Sequence, residues 1–312
     1  MNEAGNGSGF KIEREMEEIY KIALGLLSGV GAFRAKLLVS YTGGPEAVFK
    51  ESEIKLGKIE GVGSWAVKQM DRRAALVRAE EELRFIEKHN IQTYFYQDQN
   101  YPLKLKACPD GPVCLFAKGK FDFNQKNIAI VGTRKSTSYG RKMVRELVEG
   151  LAGSNVQVIS GLAHGIDKEA HESALRNDLP TLGILGHGLD HLYPAANRQL
   201  AKRMLENGGL VTEYTSGIFG DPANFPQRNR IVAGLCDATV VVESAESGGS
   251  LITANLANDY DREVFAYPGN ANAQQSKGCN NLIRRNIAHL ITSADDLLEL
   301  MDWETTPSTV RD

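Results

Sequence analysis

From Asn127 onward, runs that are apolar at consecutive positions alternate with longer stretches of helical periodicity: "NIAIVGT", "VQVISG", "PTLGILG", "GLVTEY", "ATVVVES", "EVFAYPG" and "AHLIT". This alternation constrains the fold more than any other feature. A strand that is apolar on both sides must be covered on both sides, and crossover helices cover a sheet in that way. Two earlier runs, "IQTYFY" and "PVCLFAKG", also read as strands. The pattern predicts an α/β domain over residues 91–300, built on a doubly wound, mostly parallel sheet.

Residues 11–90 have a different rhythm, with apolar positions three and four apart in "EEIYKIALGLL", "FRAKLLVSY", "WAVKQM" and "AALVRAEEELRFIEKH". This predicts a small all-α domain. Two turns within it, "SGVGAFRAKLL" and "EGVGSWAVKQM", each place Gly-Val-Gly before a helix and resemble tandem helix-hairpin-helix units of a SAM-like domain. Such glycines either present backbone N–H groups to a nucleic-acid backbone or close tight helix–helix turns, and the spacing fits both readings. The polar, glycine-rich residues 1–10 are expected to be disordered and residues 301–312 to form a loose tail.

The net charge of -3 excludes a protein that binds nucleic acid by bulk charge, so any basic patch must be local. Cys108, Cys114, Cys236 and Cys279 form no C-x-x-C pair, which argues against a disulfide framework or zinc knuckle and fits a reducing cytoplasm. No apolar run reaches membrane-spanning length, and the N-terminus does not read as a secretory signal, so no membrane association is expected.

Ligands of doubly wound sheets bind beyond the carboxyl ends of the strands. Four turns there are unusual: "VGTRKSTSYG" (131–140), "SGLAHGID" (160–167), "GHGLDHLYPAAN" (186–197) and "SAESGGSLITAN" (244–255). Gly248 and Gly249 allow close backbone approach, and Ser250 and Thr253 bring hydroxyls to a helix start, so the turns together predict an anion-binding edge. None has the G-x-G-x-x-G or G-x-x-x-x-G-K-[ST] form, and no acidic residue closes "VQVISG". A nicotinamide cofactor and P-loop hydrolysis are therefore not expected, and no other cofactor is implied. The turns do combine Arg134, Lys135, Arg228 and Arg230 with Phe225, Tyr139 and Tyr193. Guanidinium groups hold phosphates and a flat ring stacks an unpaired base, which favours a single strand over a duplex. In "NFPQRNRIVAGL" the cations open a helix, where they oppose its macrodipole unless an anion arrives.

Each feature has a plainer reading. Arg228 and Arg230 can pair internally with Glu213 or Asp221, and Phe225 can staple a helix entrance. His164, Asp167 and His171, like His187, Asp190 and His191, have spacings that suggest a metal, but "AHGID" equally suits a helix cap with Asp167 bonding backbone amides; no metal is expected. Ser250 and Thr253 have no adjacent histidine and suit binding better than nucleophilic attack.

The succession "GTRKSTSYG", "SGLAHGIDKEAH", "GHGLDHLYP", "FPQRNRIVAGL", "VVVESAESGGSLITANLA" and "VFAYPGN", in that order over about residues 95–300, resembles the DNA-processing protein A family (DprA, also called Smf). The resemblance implies an extended Rossmann-like core that binds single-stranded DNA, forms a homodimer and loads the recombinase RecA during natural transformation, without catalysis. It places DNA on Gly132, Arg134 and Lys135, on Ser160 and Gly161, on Phe225, Arg228, Asn229 and Arg230, and on Gly248, Gly249 and Ser250. Relatives often carry a lysine after "YP"; Ala195 stands there in this chain, and Arg198 is the nearest substitute. The dimer surface implied falls on "GCNNLIRRNIAHLITS", with Leu282, Ile283, Ile287 and Leu290 as its apolar face and "RRN" in place of a more usual acidic-glycine turn. Many relatives end in a winged-helix domain for which this sequence stops too early.

A rival reading comes from a different class. "SGGSLITA" and "SGLAHGID" also resemble the phosphate turns of nucleotide phosphoribohydrolases, in which Glu243 or Glu246 would be the carboxylate at the glycosidic bond.

Overall fold

A computed structural model of the chain describes residues 6–304, with side chains from Ile12 onward. The expectations for residues 1–5 and 305–312 lie outside the described residues. The first helix, α1 (Asn6–Gly25), begins inside the segment expected to be disordered.

The chain forms two compact units, one of residues up to Tyr101 with Pro109–Phe116, the other of Pro102–Cys108 and the chain from Ala117 onward. The first unit holds α1, α2 (Ala32–Thr42), α3 (Pro45–Lys50), α4 (Glu53–Gly57), α5 (Gly63–Gln69) and α6 (Arg72–His89). It extends past the expected limit at residue 90 because β1 (Gln92–Phe95) and the opening of β2 (Cys114–Lys120) fold with the helices. Tyr96 N–H donates to Val113 O at 3.0 Å and the Tyr101 hydroxyl to Pro112 O at 2.7 Å, which ties the two segments together. Helix α6 shows how the sequence sets its own limits: Asp71 accepts from Ala74 N–H at 2.9 Å at the start, Ala75, Ala79 and Ile86 form a buried stripe, and Asn90 stops it in a left-handed conformation.

The two Gly-Val-Gly turns are reciprocal. Gly29 (φ 70°) faces the Gln69 side chain, and Gly61 (φ 83°) faces Leu37, so each turn lies against the helix that follows the other. Both glycines occupy left-handed backbone, and a methyl group at either would meet its neighbour. Helix closure accounts for Gly29 and Gly61, while a methyl group at Gly31 or Gly63 would meet nothing within 4 Å.

The second unit contains α7 (Leu103–Lys106), β3 (Lys126–Val131), α8 (Ser138–Gly150), β4 (Val156–Ser160), α9 (Ile166–Arg176), β5 (Thr181–Leu185), α10 (Arg198–Met204), β6 (Gly208–Thr212), α11 (Asn224–Leu235), β7 (Ala238–Val241), α12 (Gly249–Asp259), β8 (Glu263–Ala266), α13 (Lys277–Arg284), β9 (His289–Leu290) and α14 (Ala294–Leu300). Every apolar run singled out in the sequence forms a strand. Within the unit the order is β2-β6-β5-β4-β3-β7-β8-β9, and every neighbouring pair from β6 to β9 is parallel. Ile128, Ile130, Val156, Val158, Val240 and Phe265 are buried together with Val144 and Leu147 of α8, Ala170 of α9 and Leu297 of α14. Helices α11 and α12 pack on one another, α11 also against β3 and β5 and α12 against β7 and β8. This is the Rossmann-like, doubly wound arrangement.

From β3 the chain builds outward through β4, β5 and β6, then returns to the other side of β3 with β7. The direction of winding reverses between β3 and β7, and the turns leaving those strands part to form a crevice.

Candidate nucleic-acid interface

The turn after β3 is drawn tight by the strand next to it. Thr133 N–H donates to Glu243 O at 2.8 Å and Thr133 O accepts from Ile166 N–H at 3.2 Å, which stitches the ends of β3 and β7 to the start of α9. Gly132 has no room for a side chain between Ile166 and the Glu243 carbonyl. Thr137 caps α8 by accepting from Gly140 N–H at 3.3 Å. Its own N–H and hydroxyl donate to the two oxygens of Glu243 at 2.9 and 2.6 Å. Glu243 is buried, so a carboxylate that the sequence offers as a catalytic candidate acts as a clamp on this turn.

The crevice is a hollow of about 610 Å³. Among the residues expected to bind DNA, it brings together Gly132, Arg134, Lys135, Gly161, Phe225, Arg228, Asn229, Gly248, Gly249 and Ser250, with Asp167 and Tyr193 also on the wall. Its charged lining is Arg134, Lys135 and Arg228 against the single carboxylate of Asp167, so the wall is cationic. Arg134 and Lys135 are exposed. The Arg134 guanidinium carbon lies 5.5 Å from the centroid of the Phe225 ring, and the Tyr193 ring lies 5.7 Å from Phe225.

Arg228 is only 4% exposed. Its Nη1 donates to Ile184 O at 2.5 Å, while its Nε is buried without a hydrogen-bond partner. Gly161 lies against the guanidinium with no space for a methyl group. Burial draws the Arg228 pKa below its ordinary value and Asp167 acts the other way; burial raises the Asp167 pKa and Arg228 opposes that. Each buried charge therefore stabilises the other, and Arg228 retains an unused donor. An anion on the hollow wall would meet the Arg228 charge in a poorly hydrated setting.

Other expected residues have different surroundings. Arg230 forms a 2.6 Å ion pair with Glu213 and does not line the hollow, which corrects its expected position beside Arg228. The helix turns it onto another side, toward the loop after β6. Ser160 is fully buried, its hydroxyl donating to Ile130 O at 2.6 Å. Arg198 is exposed and away from the hollow wall. Asn229 donates to Gly249 O at 3.4 Å and so joins α11 to α12, while the Ser250 hydroxyl donates to Ser244 Oγ at 2.9 Å and fastens the turn after β7 to itself. Leu282 is buried within the chain, leaving Ile283, Ile287 and the half-exposed Leu290 near the β9 edge of the sheet.

The histidine clusters are also structural in their contacts. His171 Nδ1 lies 2.7 Å from Thr181 Oγ1, and burial pulls its pKa to about 3. His187 Nε2 accepts from Tyr193 N–H at 3.1 Å, and Asp167 accepts from Ala163 N–H at 3.4 Å. Sequence reading missed the Glu243–Thr137 clamp and the position of Asp167 beside Arg228. In sequence, the available signal was the hydroxyl-rich helix start at Thr137 and the acidic Glu243 within "VVVES".

A family model described as DNA recombination-mediator protein A matches residues 92–302. Protein Smf of Synechocystis is 36% identical over 290 residues, covering 90% of this chain and 72% of that protein. The X-ray structure of DprA from Streptococcus pneumoniae superposes with a TM-score of 0.78 at 31% identity, covering 92% of this chain and 99% of that one. DprA from Helicobacter pylori, solved in work on its single-stranded DNA binding mode, superposes with a TM-score of 0.62 at 28% identity over 69% of this chain and 97% of that one.

Proposed function

The chain belongs to the DNA recombination-mediator protein A family, and on that premise we propose that it captures single-stranded DNA in the hollow between the β3 and β7 turns. The observation that carries this reading is Arg228, a buried guanidinium whose Nε has no partner, on the wall of a crevice with a cationic lining. A phosphate there is met by Arg228 from within and by Arg134 and Lys135 from the rim. Phe225, on the same wall, stacks the attached base. A base can reach that ring only when it is unpaired, and a ring accepts every base, so binding favours single strands and tolerates sequence. Gly249, where a methyl group would meet nothing within 4 Å, lets the strand approach the backbone closely.

We further infer that the protein works as a homodimer through the edge formed by Ile283, Ile287 and Leu290, and that it hands its strand to RecA in natural transformation. It carries out no catalysis in this reading. Titrating the protein with labelled oligothymidine and with duplex of equal length, across a salt series, tests the central claim. Single strands should bind more tightly, and equal binding or a preference for duplex overturns the reading. Assembly of RecA on a single strand already coated by a single-strand-binding protein should be faster with the protein present; an unchanged rate removes the loading role.

The phosphoribohydrolase alternative needs a carboxylate free to act at a glycosidic bond. Glu243 has both oxygens engaged by Thr137, and exposed Glu246 is not among the lining residues. Incubation with nucleoside monophosphates should release no base.

A further inference from the structure

Next to the hollow, the surface carries a group of exposed apolar side chains that the DNA contacts above do not use. Phe219 is 71% exposed, Tyr193 52% and Ile218 41%. An exposed phenylalanine on a loose loop would mean little, but this loop is pinned. Gly188 N–H donates to Ile218 O and Gly217 N–H donates to Asp190 Oδ2, each at 2.9 Å. Behind the Phe219 ring stands His191 at 4.6 Å between centroids, and behind that His187 at 4.7 Å, with interplanar angles of 34° and 33°. His187 is buried and holds the backbone of Tyr193. The result is a rigidly backed aromatic face turned to solvent.

This face is continuous with the hollow. Gly220, the residue after Phe219, lies against both hollow rings: a methyl group there would sit 3.4 Å from Phe225 and 3.5 Å from Tyr193. Of the two nearby carboxylates, Asp190 accepts from Gly217 N–H and lies 3.2 Å from His191 Nδ1, and Asp221 accepts from Ala223 N–H at 2.8 Å. The loop therefore offers a flat, uncharged ring beside a cationic trough, which suits the base of an unpaired nucleotide whose phosphate lies in the trough.

We propose that Phe219, backed by His191, is a second base platform that holds an unpaired nucleotide neighbouring the one in the hollow. The proposal rests on the single-strand reading of the hollow and lengthens the site beyond it. Because the ring is exposed, its removal should leave the fold intact, and the ordering of the loop is already accomplished before DNA arrives.

The test measures the affinity of the full-length protein for oligothymidines of increasing length, from about 4 to about 16 nucleotides. Wild type should gain a step in affinity at the length that reaches the platform. Phe219→Ala should leave the shortest bound oligomer unaffected and lose that step, about five- to a hundredfold. Phe219→Trp should restore it, with an unchanged melting temperature in both variants. A Phe219→Ala variant that matches wild type at every length, or loses affinity equally at all lengths, overturns the platform. Phe225→Ala separates the two readings: loss on Phe219→Ala without loss on Phe225→Ala keeps the platform and overturns the hollow. A wild type that binds no oligothymidine overturns both.

Discussion

The Arg134 guanidinium lies over the Phe225 ring, 5.5 Å from its centroid, joining the turn after β3 to the first turn of α11. The contact gives an exposed arginine a fixed position without placing it against a carboxylate. The cation over the ring is held by the ring's quadrupole and remains available to a phosphate. Ring and cation therefore form one unit, which in the proposed reading sets base and phosphate recognition side by side.

Arg134 and Phe225 should be coupled in binding. Arg134→Ala should weaken capture of every single-stranded sequence and lower the salt slope by about 0.7, the value for one phosphate contact on a single strand. Phe225→Ala should cost about 1 to 3 kcal/mol. The double variant should differ from the sum by at least about 0.5 kcal/mol. Anisotropy titrations across a salt series supply all three quantities, and strict additivity would mean that the two side chains act separately.

Arg230→Ala should act on stability. Its partner Glu213 keeps a side-chain exposure of 17%, so losing the 2.6 Å ion pair removes a countercharge from a largely buried carboxylate. Unfolding in denaturant should show a loss of about 1 to 3 kcal/mol. The salt slope of oligothymidine binding should stay at the wild-type value, in contrast with Arg134→Ala.

Gly161→Ala should disturb Arg228 directly, because the added methyl group meets its guanidinium. Overpacking at such a site costs about 1 to 3 kcal/mol. The melting temperature should fall and single-strand affinity should fall with it. Gly249→Ala, where a methyl group meets nothing within 4 Å, is the matched control for stability.

His171 should make stability fall in acid. Its Nδ1 contacts Thr181 Oγ1, whose own proton goes to Val158 O at 2.9 Å, so the imidazole is the donor in that contact. Burial, with a smaller contribution from the Arg228 charge, lowers its pKa from 6.5 to about 3. The unfolded chain binds the proton first, so this group's stabilisation is complete above about pH 6.5 and is lost as pH falls toward 3. Denaturant unfolding should lose about 1.4 kcal/mol per pH unit from this group within that window. His171→Gln should be less stable at neutral pH and should show a shallower acid dependence; an identical slope in both proteins would show that other groups carry it.

Much of the candidate site is visible in sequence because glycine-rich turns after buried strands have a known place in a doubly wound sheet. Gly132, Gly161, Gly248 and Gly249 meet for that reason. Side-chain direction was less accessible. Arg228 and Arg230 look alike in "FPQRNR", yet two residues of helix rotate them about 200° apart, one toward the crevice and one toward Glu213. The first unit's limit differs for a similar reason: β1 and the opening of β2 are strands, as the sequence predicts, and they group with the helices.

Taken alone, the sequence determined the strands, the helices between them, the family and the turns that converge at the reversal of winding. These follow from local periodicity and from backbone conformations that few residues accept. Only the tertiary structure decided that Arg228 is buried with a free Nε, that Glu243 clamps Thr137, and that Phe219 stands on a histidine backing. Those outcomes depend on contacts between residues far apart in the chain, and no local spacing encodes which partner a side chain will find when the sheet closes.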